Sequence, residues 1–260
     1  MRDQILSLSS STVEKPTLVY FDIIGIAWPI RVMLHLRDID YELIQVSIHQ
    51  GGQVDAEGHR RFKPGFTSGP LPLAVDGDVE LNQSARSLEY LADKHGFLAG
   101  TGFERTSALE VMGQAYDALF HWNGMFPVNI KLGMPDNEAK KRLDAFMGEG
   151  VYGLSTDGYR QNLDAFERYL AKSDGDYFVG QSLTAADLQS FNALRNWYKA
   201  FAPDVFMDEY PKLNEFVERI EVLPQINDYI AHHQEPTTWF DWPGAALRLT
   251  RSAELDAIKV

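Results

Sequence analysis

Gln83 and Ser84 open an amphipathic run, where the free backbone N–H groups and macrodipole of a helix start favour an anion. Pro72 is the second residue of an apolar, strand-like run, Leu71-Pro72-Leu73-Ala74-Val75. It has no ladder donor, which assigns that run to a sheet edge or to an edge that binds something. Farther upstream, His59-Arg60-Arg61-Phe62-Lys63 concentrates basic charge in a chain whose formal net charge is −13. An anion meeting this protein finds local positive charge there. His232 and His233 point different ways on a helix and have no third ligand type clustered nearby, so no metal site is read from them. The chain has no cysteine, which excludes disulfides, thiolate metal sites and a cysteine nucleophile of its own. A sulfur nucleophile would have to arrive with a ligand.

The elements around these residues are legible. Val79-Glu80-Leu81 reads as a second strand after Leu71–Val75, with Asp76-Gly77 as a hairpin signal between them. The helix from Ser84 carries Ala85, Leu88, Leu91 and Ala92 on one face, and Gly96 sits where a left-handed C-cap is wanted. Thr17–Phe21 is a β-rich run, and Pro29 fits the first turn of a following helix with Ile30, Met33 and Leu34 inward. Tyr41–Val46 reads as another strand, followed by a long irregular segment from His49 to Gly69. The order is β-α-β-loop-β-β-α.

Beyond a candidate linker at Phe97–Thr106, the pattern is helical throughout. One helix is expected from Ser107 to about Leu132, with Pro127 kinking or ending it, and another from Asp136 to about Met147. Tyr159, Leu163, Phe166 and Leu170 share a helical face, as do Leu213, Phe216, Val217 and Ile220. Thr184 and Asp187 form a variant capping box, with Leu183 and Leu188 spaced as a hydrophobic staple.

The order of proline-bearing strand, Asp-Gly hairpin and Gln-Ser helix start resembles the glutathione-binding half of the soluble glutathione transferases. The Thr184–Asp187 box and the run from Tyr210-Pro211 to Leu223-Pro224 resemble that family's helical domain. The resemblance covers about Thr17 to Ile230. It implies a thioredoxin-like βαβ-ββα domain followed by an all-helical bundle. The domains expected are a flexible leader over 1–16, a glutathione-binding domain over 17–97, a helical domain over 107–231 and an extension over 232–260.

The resemblance also implies roles. Pro72 would be cis, Leu71 would pair its backbone with glutathione, and Gln83 and Ser84 would hold the γ-glutamyl end. Tyr20-Phe21 with Gly25 and Arg31 is similar to the opening of the tyrosine-type classes, most closely the sigma class. Tyr20 then becomes the catalytic residue, donating its hydroxyl to the glutathione sulfur. A free thiol of pKa ~8.5 is mostly protonated at pH 7, and lowering it two units takes about 2.7 kcal/mol. One hydrogen bond to a charged group supplies roughly 1.5–3 kcal/mol. The sigma pattern has an arginine and an acidic residue where this chain has Ile26 and Trp28, which implies weaker thiol activation or a shift to a hydrophobic second-substrate pocket. Ile26, Trp28, Phe120 and Met125 are the residues expected to line it. Lys63 matches a lysine, and His59 replaces a tryptophan, that bind the glycyl end. Asp117 aligns with an aspartate that reaches across a homodimer to the other subunit's γ-glutamyl amine.

The function implied is glutathione conjugation to apolar electrophiles, with glutathione as cosubstrate and a homodimer as the assembly. A glutathione-dependent isomerase and a non-catalytic binding or structural protein on the same scaffold stand as alternatives. The excess of 37 acidic over 24 basic residues makes nucleic acid and anionic membrane poor partners. No apolar run approaches the ~18 residues of a membrane span, and the first 15 residues lack the core of a secretory signal, so a cytoplasmic protein is expected.

Overall fold

The structure, a computed structural model, describes residues 15–21, 24–46, 71–125, 146–147, 158–173, 175–200 and 202–232. Its contacts divide the chain into two units: the residues up to Leu98 together with Pro224–Glu235, and those from Ala99 to Leu223 with the remainder of the chain.

The first unit is built on a four-stranded sheet in the order β2-β1-β3-β4. Strand β1 is Thr17–Phe21, β2 is Glu42–Val46, β3 is Leu73–Asp76 and β4 is Val79–Leu81. β1 runs parallel to β2, with Tyr20 opposite Gln45, and antiparallel to β3, with Val19 opposite Leu73. The parallel pair is joined through helix α1, Trp28–Leu36, as a parallel crossover requires. Val19, Leu73 and Val75 form the core of the sheet, with Ile44 and Leu71 packed against them. Helix α2, Ser84–Lys94, buries Ser87, Leu88, Leu91 and Ala92, and Gly96 follows it at φ +64°, the left-handed value a C-terminal cap needs. Ala85 is only half-buried.

Two expectations about the hairpin are corrected. β3 lies between β1 and β4, so it is an interior strand and not an edge. Pro72 is compatible with that because the ladder begins one residue later, at Leu73. The turn residues are Gly77 and Asp78, since Asp76 still pairs with Val79. Gly77 takes φ +58°, while the Asp76 carboxylate accepts from Tyr90 Oη at 3.1 Å and Lys94 Nζ at 2.5 Å, tying α2 to the sheet.

The second unit is helical. Its elements are α3 (Phe103–Met125), α4 (Tyr159–Lys172), α5 (Ala185–Ala193), α6 (Pro203–Glu209) and α7 (Pro211–Glu221). α3 starts four residues before the expected Ser107, so the glycine-bearing stretch is shorter than the sequence pattern suggests. The expected continuation past Met125 and most of the 136–147 helix lie outside the described residues. α5 runs on into a π-helical turn, Leu194–Lys199. The buried Tyr159 hydroxyl shares its proton between the carbonyls of Tyr198, within that turn (3.0 Å), and Ala202, just past it (3.2 Å). Tyr198 in turn donates to Ala118 O on α3 at 3.1 Å. The last helix, α8 (Pro224–His232), which the sequence reading assigned to the helical domain, contacts α1 and groups with the sheet unit.

Asp187 anchors the start of α5. Its Oδ2 accepts from the Thr184 N–H (2.8 Å) and hydroxyl (2.9 Å), and its Oδ1 accepts from the Phe178 N–H (2.8 Å). The carboxylate is fully buried, so truncating it strands three donors. Asp187→Ala is expected to lower unfolding free energy by about 3 kcal/mol, and Thr184→Ala by about 1. Guanidinium denaturation followed by circular dichroism checks this; an Asp187→Ala protein as stable as its parent contradicts it.

Candidate active site

The turn after β1 determines how Tyr20 is presented. Gly25–Ala27 is a single 3-10 turn, and Gly25 sits at φ +49°, in the left-handed region. A side chain here would collide with Tyr20: a Cβ would lie 2.7 Å from its Cε1 and overlap its hydroxyl. The missing side chain lets the Tyr20 ring lie against the turn. The Ile26 N–H then donates to Tyr20 Oη at 3.1 Å. Burial pushes the Tyr20 phenol up to about 12, opposed by the Ile26 hydrogen bond and by the nearby Arg31 charge. The hydroxyl is therefore a protonated donor through the whole neutral range, with its oxygen already serving as an acceptor.

Ile26 is half-buried beside this hydroxyl. Trp28, expected to line an apolar site, is instead 2% exposed and packs edge-on to Tyr229 of α8 at 6.3 Å between centroids. His35 packs against the same tyrosine at 5.2 Å. The Trp28 side chain is thus used in packing α8 onto α1, which its aromatic character suits as well as it suits a pocket.

The Leu71–Pro72 peptide bond is cis. Leu71 is half-buried on the Val19–Leu73–Val75 cluster and leads directly into β3. Gln83 is the exposed N-cap of α2, and its own side chain makes no capping bond. Ser84 behind it is 5% exposed, and its Oγ has no hydrogen-bond partner among the described residues. A buried hydroxyl left unpaired at a helix start, where N–H groups also lack intrahelical partners, leaves hydrogen-bond donors at that position. Tyr20, Leu71, Pro72, Gln83 and Ser84 all belong to the sheet unit. His59 and Lys63 lie outside the described residues.

Asp117 and Phe120 belong to the helical unit. Asp117 is exposed on α3 and lines a polar cleft of about 400 Å³ with Gln114, His121 and Asn162. Gln114 Nε2 donates to Asn162 Oδ1 at 3.2 Å there. Phe120 is 65% exposed and does not line that cleft. Only the backbone of Met125 is described. The sequence reading gave Gly25 and Arg31 no structural task. The signal for Arg31 was present: a lone charged residue within Trp28–Leu34, where every neighbour is apolar.

The family model for the glutathione S-transferase C-terminal domain matches residues 156–233. Glutathione S-transferase 4 of Caenorhabditis elegans is 30% identical over 222 residues, 84% of this chain and 96% of the relative. Glutathione S-transferase Mu 2 of Rattus norvegicus is 30% identical over 220 residues, 82% of this chain and 89% of the relative. Among solved structures, the glutathione S-transferase from Ascaris lumbricoides superposes with a TM-score of 0.70 at 25% identity, covering 86% of this chain and 99% of the other. This chain belongs to the glutathione S-transferase family.

Because the folded chain holds the Tyr20 proton up to about 12 against an ordinary 10, the unfolded chain ionises first as pH rises. Stability from this group is unaffected below pH about 10 and falls between about 10 and about 12. Tyr20→Phe is expected to flatten that part of the alkaline loss in thermal denaturation. Unchanged alkaline behaviour in the phenylalanine variant would count against a buried, protonated Tyr20. Gly25→Ala, forced both into the left-handed region and onto the Tyr20 ring, is expected to destabilise by about 2 kcal/mol in the same assay.

Proposed function

We propose that this protein conjugates glutathione to apolar electrophiles. The thiol loses its proton to solvent, Tyr20 stabilises the thiolate by donating its hydroxyl, and a sulfur lone pair forms a bond to an electrophilic carbon as that carbon's bond to its leaving group breaks, the leaving group departing to solvent with the bonding electron pair. The observation that carries the reading is the Tyr20 hydroxyl. It is buried, protonated and already accepting the Ile26 N–H, so its own proton is available to a ligand sulfur. A donor in a water-poor site stabilises a thiolate far better than the thiol, which is the differential interaction that raises reactivity.

The unpaired Ser84 Oγ at the start of α2 supports the second half of the reading. With Gln83 it suits the γ-glutamyl carboxylate, while the Leu71 backbone beside cis-Pro72 suits the peptide portion. His59 and Lys63 are assigned to the glycyl carboxylate. Asp117 is assigned to the γ-glutamyl amine in the other subunit of a homodimer. The tyrosine-type reading, closest to the sigma class, rests on the Tyr20-Phe21, Gly25 and Arg31 pattern. Ile26, Phe120 and Met125 remain the proposed contacts for the electrophile; Trp28, spent on Tyr229, is withdrawn. No helix among the described residues is long and apolar enough to cross a membrane, and a cytoplasmic location is part of the proposal.

Ile26 favours one rival reading, a binder without catalysis, because it brings no charge to the sulfur. An ultraviolet difference titration of glutathione on the protein separates the two. Conjugation predicts a bound thiolate at neutral pH that disappears in Tyr20→Phe; glutathione that binds yet stays protonated supports the binder. Ser84→Ala is expected to weaken glutathione binding about tenfold to a hundredfold, the loss of one hydrogen bond to a charged group. Unchanged affinity in that variant would remove Ser84 from the site.

A further inference from the structure

Arg31 is the most deeply buried cation among the described residues, 2% exposed in the middle of α1. Its neighbours Trp28, Pro29, Ile30, Val32, Met33 and Leu34 are all buried and apolar. A guanidinium in such surroundings is costly unless its donors are used. Arg31 Nη2 donates to the carbonyl of Ile24 at 2.8 Å, spanning from the helix back to the residue just before Gly25. Ile24 is itself buried. The three links are consecutive: Arg31 holds the Ile24 carbonyl, Gly25 turns the chain at φ +49°, and the Ile26 N–H meets the Tyr20 hydroxyl.

We propose that Arg31 is the positioning residue of the Tyr20 site: its buried guanidinium holds the Gly25–Ala27 turn, and the turn aims the Tyr20 hydroxyl. This rests on the conjugation reading above for its chemical consequence, but not for its geometry. The link is directional. Without the Ile24 anchor, the start of the turn loses its buried tie to the middle of α1, and the Ile26 N–H loses its defined position over Tyr20. The charge acts in the same sense, because a buried cation favours negative charge gathering at the Tyr20 oxygen and on an atom bonded to it. Arg31 touches neither sulfur nor electrophile and is not a catalytic residue. A guanidinium keeps its charge when buried, whereas a buried lysine ammonium readily gives up its proton.

The test compares the parent protein with Arg31→Met and Arg31→Lys in three readouts. Amide hydrogen exchange at Ile26 is followed in the ligand-free protein. The thiol ionisation of bound glutathione is followed by its ultraviolet band. Affinity for S-methylglutathione, which has no thiol to ionise, reports binding alone. For Arg31→Met, exchange at Ile26 is expected to be about tenfold faster or more, and the bound thiol to ionise about one pH unit higher, tenfold less thiolate below its pKa. S-methylglutathione affinity should stay within about twofold, because the groups that hold the peptide are elsewhere. Arg31→Lys should show a part of both changes and protects the test should the methionine variant not fold. A folded variant matching the parent in Ile26 exchange overturns the proposal. So does faster exchange with an unmoved thiol titration, which leaves Arg31 a structural residue only. Glutathione that stays protonated on the parent protein defeats the conjugation reading instead, and exchange at Ile26 still decides whether Arg31 holds the turn.

Discussion

The hydrogen bond from the Ile26 amide to the Tyr20 hydroxyl is the contact on which the proposed conjugation chemistry depends. It occupies one lone pair of the oxygen and leaves the O–H bond to point elsewhere. Burial pushes the phenol further above its ordinary value, so the group keeps its proton into the alkaline range and stands as a donor at neutral pH. A tyrosine at the end of a strand gains this character only because the chain turns sharply after it. That turn needs a residue without a Cβ, and Gly25 supplies it at the one point where a methyl group would strike the ring.

Around that contact the sequence divides its work between packing and polarity. Val19, Leu73 and Val75 hold β1 against β3, and Leu71 packs on the same cluster two residues before the strand begins. Trp28 and Tyr229 join α1 to α8, so the last described helix braces the element that follows the turn. The helical unit solves a similar problem with a carboxylate. Asp187 gathers three donors from two segments, and a buried charge so fully hydrogen-bonded sets where α5 begins.

Much of this was legible in the residues. β1 was readable to the residue from its β-branched and aromatic run, as was the start of α2 from Gln83-Ser84 and the capping box from Thr184 and Asp187. Local chemistry decides those features, which is why a local reading finds them. Errors came where long-range pairing decides. Pro72 suggested an edge strand, but whether a strand is an edge depends on what pairs with its other side, and β4 does. Trp28 suggested a pocket because an exposed and a buried tryptophan look alike until Tyr229, some two hundred positions away, is brought onto it. The functional site was read through family resemblance in its roles and through physics only in its helix start: that Gln83-Ser84 opens a helix whose N–H groups favour an anion follows from the residues, whereas the contact of Arg31 required knowing that its guanidinium reaches Ile24.

A crystal structure of the protein with glutathione bound addresses the central claim most directly. If Tyr20 activates the sulfur, the sulfur lies within hydrogen-bonding distance of Tyr20 Oη, with the Ile26 amide still on the same oxygen and the γ-glutamyl carboxylate on Ser84 Oγ. Glutathione bound with its sulfur directed away from Tyr20, or with its carboxylate away from the start of α2, would contradict the claim and leave Tyr20 as a buried structural residue.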